Sequence, residues 1–121
     1  MKSQFTQSIT PSVNTELELA ITARQPGDHA TEFQHLENAH VLGQRSTRLH
    51  VKVHWLMFLW GIRRASPKEV LGQLFRMTGA ATKTAFGLIP DGNTGGANIS
   101  PFKPMPLSAE HTALIKKARQ R

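Results

Sequence analysis

The sequence predicts an all-α fold: a small bundle of four to five helices with a long irregular C-terminal arm rich in glycine and proline. Three observations predict it. Apolar residues recur at helical spacing through successive stretches. Capping residues and stop signals punctuate those stretches. Between residues 87 and 107 the composition shifts to turn formers, and no helical pattern survives there. The length of 121 residues suits one domain. Residues 10–121 are expected to form it, behind a flexible N-terminal stretch over residues 1–9.

The elements follow in order. Thr10-Pro11 reads as an N-cap with proline at the first helical position, where the missing N–H is harmless. Val13, Leu17, Ala20 and Ile21 then share a side, giving a helix over about residues 11–25. Pro26-Gly27-Asp28 stops it, and Asp28 caps a second helix reaching about residue 42, with Phe33, Leu36 and His40 on its apolar side. This pair has the flavour of a tetratricopeptide hairpin, without a second copy at a fixed period. Ser46 or Thr47 caps a third helix to about residue 64. It is apolar nearly all round, with Leu49, Val53, Leu56 and Trp60 on one stripe and Val51, Trp55, Phe58, Leu59 and Ile62 on another, which suits the buried centre of a bundle.

Ser66-Pro67-Lys68-Glu69 is a capping box, and it opens a fourth helix to about residue 86. Val70, Leu71, Leu74, Phe75, Thr78, Ala81 and Ala85 are expected to face inward from it. Gly72, Gly79 and Ala80 leave room for close approach of another segment. The arm over residues 87–107 holds Pro90, Pro101, Pro104 and Pro106, with Phe102, Met105 and Leu107 as packing anchors. Ser108 caps a short basic helix over residues 108–120.

Composition excludes several classes of chemistry. There is no cysteine, so disulfides, thiolate metal sites and thiol nucleophiles are absent. The longest apolar run, residues 55–61 within the slightly longer stretch 53–62, falls far below the ~20 residues that span a bilayer, so no membrane insertion is expected. Met1-Lys2-Ser3-Gln4-Phe5 lacks the apolar run of a secretory signal, and the cytoplasm is the expected compartment. Charge is uneven. Residues 1–43 hold two cations against five anions, a net of −3, whereas residues 44–121 hold thirteen against three, a net of +10.

The histidines carry the most suggestive chemistry. His50 and His54 stand at i and i+4, so both imidazoles leave one helix face and can hold one ion. Glu37 and His40 stand at i and i+3, a spacing used by carboxylate-bridged metal sites in bundles. The second and third helices are joined by few residues and should be antiparallel neighbours, bringing His40 toward His50. The expected ligand set is Glu37, His40, His50 and His54, with His35 an outer candidate. Three nitrogens and one oxygen suit zinc, iron, cobalt or nickel. Glu32-x-x-His35 repeats the carboxylate spacing but lies on the other helix face. The zinc-hydrolase pattern His-Glu-x-x-His is absent.

Two other constellations are weaker. Asn93-Thr94-Gly95-Gly96 can present backbone amides to an anion or let the arm fold back. No Gly-Lys-Ser/Thr follows it, so it is not a nucleotide-binding loop of that type. The basic half, with Arg45, Arg48, Arg63, Arg64, Lys116 and Lys117, suits an acidic protein partner or phosphates of a nucleic acid. No recognised nucleic-acid motif accompanies it. Nucleophile and base cannot be paired from spacing, so an enzyme is not expected.

The stretches Phe33-x-His35-Leu36-Glu37-x-Ala39-His40-Val41-Leu42-Gly43-Gln44, His50-x-x-x-His54-Trp55 and Val70-Leu71-Gly72-Gln73-Leu74 resemble a bacterial family of small proteins catalogued as a domain of unknown function. The arm residues Asn93-Thr94-Gly95-Gly96-Ala97-Asn98 and Pro101-Phe102-Lys103-Pro104-Met105-Pro106 fit the same family. The resemblance implies that the histidine hairpin and the arm belong to one pattern, and it brings no activity with it. The functional expectation from the residues is a non-enzymatic transition-metal-binding accessory protein in metal homeostasis or resistance. The alternative is a basic interaction module for an acidic protein or a nucleic acid.

Overall fold

The computed structural model describes residues 3–85, 95–97 and 104–119, and among them the regular structure is entirely helical. Five helices follow in order: α1 (Gln4–Arg24), α2 (His29–Gly43), α3 (Thr47–Arg63), α4 (Pro67–Ala85) and α5 (Ala109–Arg119). Short turns pair α1 with α2 and α3 with α4. The two hairpins meet where α2 lies against α3, and α5 rests mainly on α1.

Caps set most of the boundaries. Asp28 accepts from the Thr31 amide at 3.2 Å, Ser46 from Leu49 at 3.4 Å, Ser66 from Glu69 at 3.4 Å and Ser108 from His111 at 3.0 Å. Each satisfies an amide that the first helical turn leaves without an intrahelical partner. The start of α1 departs from expectation. The helix begins at Gln4, capped by Ser3, and Pro11 lies inside it. A proline there removes one backbone hydrogen bond, at a cost of about 3 kcal/mol. Burial outweighs it: Ile9 is enclosed and Phe5 packs on the core, and a buried aliphatic side chain contributes about 1.5–3 kcal/mol by itself. The Thr6 hydroxyl adds a tie, donating to the Ser46 hydroxyl at 2.7 Å and so fixing the first turn of α1 to the α2–α3 turn.

The core runs through Ile9, Val13 and Ala20 of α1, Leu36, Ala39 and Leu42 of α2, and Leu49, Val53 and Met57 of α3, with Ala118 of α5 closing one side. Gly43 lies at the end of α2 where the backbone meets α3. A Cβ there would stand 3.0 Å from the Leu49 Cβ and 3.3 Å from the Val13 Cγ2. Hydrogen in place of a side chain therefore lets α2 approach the first turn of α3 closely.

Two faces differ from the sequence expectation. The third helix is not buried all round: Trp55 and Ile62 are exposed, and Trp55 stacks on Phe58 at the surface. The rotation of α4 is the larger correction. Leu71 and Phe75 are 67% and 71% exposed and Leu74 is exposed too, whereas Gln73 and Arg76 are buried. Residues 69, 73 and 76 lie one and two turns apart on one face. That face points inward because Gln73 finds hydrogen-bond partners there, which offset the cost of burying its amide. The inward placing expected for Ala81 and Ala85 falls on side chains outside the described ones, as does most of the arm.

Candidate metal centre

The site begins with helix geometry. His40 sits one turn before the end of α2, close to Gly43, and His50 and His54 sit one turn apart on α3. The close approach at Gly43 brings these helices together at that level. The three imidazoles form a near-equilateral triangle, with ring centroids 4.8 Å (His40–His50), 4.7 Å (His40–His54) and 4.8 Å (His50–His54) apart. All three residues are no more than 5% exposed. Among the described residues they are the one group of potential metal ligands whose donor atoms converge, each within 4.8 Å of the others.

The closest pair is the most informative. His40 Nε2 and His54 Nε2 lie 3.2 Å apart. Two nitrogens bound to one tetrahedral ion at ~2.0–2.1 Å stand about 3.3 Å apart. The His50 donor lies within 4.8 Å of the other two, so reaching the same tetrahedral spacing requires it to close by up to about 1.5 Å.

One outer partner places the proton on His54 Nδ1. Gln73 Nε2 lies 3.0 Å from Glu69 Oε2 and 3.0 Å from the Gly95 carbonyl oxygen. Both are acceptors, so that end of the amide is the NH2 group. Its Oε1 then accepts from His54 Nδ1–H at 2.5 Å. With Nδ1 carrying the proton, the neutral His54 ring presents a lone pair at Nε2, facing His40. Metal-binding histidines are oriented in this way by an acceptor on the far nitrogen. In the absence of an ion, His40 Nε2–H can donate into the same lone pair.

Residues 95–97 cover this end. Gly95, at φ +85°, lies so close to the His40 ring that a Cβ would stand 2.5 Å from His40 Cδ2. Ala97 lies against Gly72, where a Cβ would meet the Ala97 Cβ at 2.6 Å, and the Ala97 amide donates to Glu69 Oε1 at 3.0 Å. The room expected at Gly72 is thus filled by the arm. Gly96 is buried beside them, while Asn93 and Thr94 lie outside the described residues. Burial pushes the Arg76 guanidinium below its usual value, and the Glu69 carboxylate works in the opposite direction.

The other sequence candidates fall elsewhere. Glu37 is outside the converging group; it lines a groove of about 530 Å³ together with His29, Phe33, Trp60, Arg64 and Glu69. His35 faces α1, with Nδ1 3.0 Å from Glu16 Oε2, and Asn38 donates to the other Glu16 oxygen at 3.2 Å. Arg63 is bonded to the buried Glu32 carboxylate. Arg48, Arg64, Lys116 and Lys117 are exposed, and Arg45 is half-buried on the rim of a separate cavity of about 220 Å³. No helix among the described residues is long and apolar enough to cross a membrane.

Sequence reasoning did not single out Gln73, and it read Glu69 only as part of a capping box. The available signal was the i, i+4 pair Glu69 and Gln73, a polar face on a helix otherwise read from its leucines. No curated protein and no solved structure matches the chain. The profile of one family, described as a protein of unknown function (DUF3703), matches residues 7–115, and the chain belongs to that family.

Proposed function

We propose that this protein binds one divalent transition-metal ion through His40, His50 and His54, and serves as a non-enzymatic accessory in metal homeostasis or resistance. The observation that carries the reading is the 3.2 Å approach of the His40 and His54 Nε2 atoms within a buried three-histidine triangle. Support comes from the Gln73 carbonyl oxygen behind His54, which places the proton of the neutral ring on Nδ1 and its lone pair on Nε2. Three neutral nitrogens suit zinc, cobalt, nickel or iron better than the oxygen-loving calcium and magnesium. Glu37, expected from the sequence as an oxygen ligand, would need to reorient to contribute.

The test is metal analysis of protein purified without a polyhistidine tag, followed by zinc and cobalt titration of the wild type and of His50→Ala and His54→Ala. One equivalent in the wild type and its loss in both variants is the expected result. Unchanged stoichiometry in both variants sinks the reading.

A further inference from the structure

We infer that Gln73 is a positioning residue that couples metal occupancy of the histidine triangle to the seating of residues 95–97 over it. The inference rests on the metal-binding reading. Gln73 is wholly buried, and both ends of its amide are committed. Oε1 accepts from His54 Nδ1–H, while the NH2 group donates to the Gly95 carbonyl and to Glu69. Glu69 in turn receives the Ala97 amide. The amide therefore links a candidate ligand to the covering segment: the run from His54 through Gln73 to the Gly95 carbonyl keeps one donor direction, and Glu69 holds the other side of the segment by accepting from both Gln73 and the Ala97 amide.

The chain has a definite polarity. An ion on His54 Nε2 withdraws electron density from the ring and makes Nδ1–H a stronger donor to Gln73 Oε1. A more polarised amide carbonyl makes its NH2 group a better donor to Gly95 and Glu69, because hydrogen bonds in a chain strengthen one another. Contact reinforces the link, since Gly95 lies directly on His40 and any movement of that ring is felt by the segment. Coupling of this kind is reciprocal. The factor by which metal stabilises the seated segment equals the factor by which the seated segment tightens metal binding.

Two substitutions separate the halves of the amide. Gln73→Leu removes both. Gln73→Glu keeps an oxygen for His54 Nδ1–H and removes the donors to Gly95 and Glu69. Zinc affinity is measured by chelator competition, and seating by hydrogen exchange of the Ala97 amide with and without zinc. Far-ultraviolet circular dichroism checks that each variant is folded. In the wild type, zinc is expected to slow Ala97 exchange about tenfold or more. Gln73→Leu is expected to lose zinc affinity by about 10–100-fold, the usual cost of removing an outer-shell partner, and to lose the zinc-dependent protection. Gln73→Glu is expected to retain more affinity than Gln73→Leu and still lose the protection.

Wild-type affinity together with wild-type protection in a folded Gln73→Leu overturns the inference and leaves the metal site standing. Persistence of the zinc-dependent protection in Gln73→Glu also overturns it. Absence of zinc binding in the wild type removes the metal reading and the coupling together, and is distinguished by its failure before any variant is made.

Discussion

His35 and His40 stand on the same helix, five positions apart, and meet opposite chemistry. His35 turns toward α1 and finds a carboxylate, Glu16, at 3.0 Å in a half-buried position. His40 turns toward α3 and finds a second imidazole at 3.2 Å in a buried one. A carboxylate gives an imidazole an acceptor for its proton, and the pair is complete. A second imidazole presents a lone pair, which is satisfied by a shared proton or by a cation between the rings. Residue type alone does not separate these outcomes; the helix that each ring faces does.

The sharpest way to break this comparison is to remove one ring from each setting. His54→Ala is expected to abolish stoichiometric zinc binding, with a loss of at least about 100-fold, because a ligand and its Gln73 support go together. His35→Ala is expected to leave zinc affinity within about twofold. Equal effects in the two variants, read by the same titration, would show that the buried setting is not special.

Gly95→Ala comes next. The added methyl overlaps the His40 ring and the positive φ is strained, so zinc affinity is expected to fall about tenfold or more, with a lower melting temperature in the metal-free protein. A variant as tight and as stable as the wild type would mean that the segment does not lie on the ring. Arg63→Ala probes a buried carboxylate, Glu32, by taking away its ion-pair partner. A loss of about 1–3 kcal/mol in urea denaturation is expected, with metal binding unchanged.

Smaller effects sharpen the contrast from the carboxylate side. Glu16→Gln is expected to cost less than about 1 kcal/mol, since its pairing with His35 is partly solvated, and to leave zinc titrations unaltered. Asp28 gives the smallest. Hydrogen bonds from the Thr31 side chain and backbone hold its carboxyl below the usual 3.8. A depressed carboxyl stabilises the fold above its unfolded value, and that contribution disappears as pH falls through the folded one. The stability gap between wild type and Asp28→Ala should therefore be widest near neutral pH and narrow below about pH 4, measured by denaturant titration across that range.

Much of the fold was legible because capping residues announce themselves locally. Asp28, Ser46, Ser66 and Ser108 all cap the helices expected of them. The start of α1 was not legible, since Pro11 is a valid first-turn residue and only the packing of Phe5 and Ile9 carries the helix past it. The orientation of α4 was hidden for a related reason. Its leucines form a convincing apolar stripe, yet its inward face is chosen by a glutamine whose partners lie nineteen residues back at His54 and across the arm at Gly95. The i, i+4 histidines gave two of the triangle's three corners from spacing alone, and the short α2–α3 turn supplied His40. Glu37 shared the right spacing but lines a different groove, because a carboxylate one turn earlier on α2 faces the start of α4.

Gly43 offers no donor side chain, yet it sets the spacing between the helices that bear the three imidazoles. A methyl group at this position would press on Leu49 and Val13 and shift the helices by a few tenths of an ångström. Metal–ligand bonds tolerate deviations of only about 0.2 Å. On the metal-binding proposal, the spacing of the triangle, and with it the ionic radius it would accept, is thus set at a position that carries no donor atom, and Gly43→Ala is expected to change the preference among metals without altering a ligand.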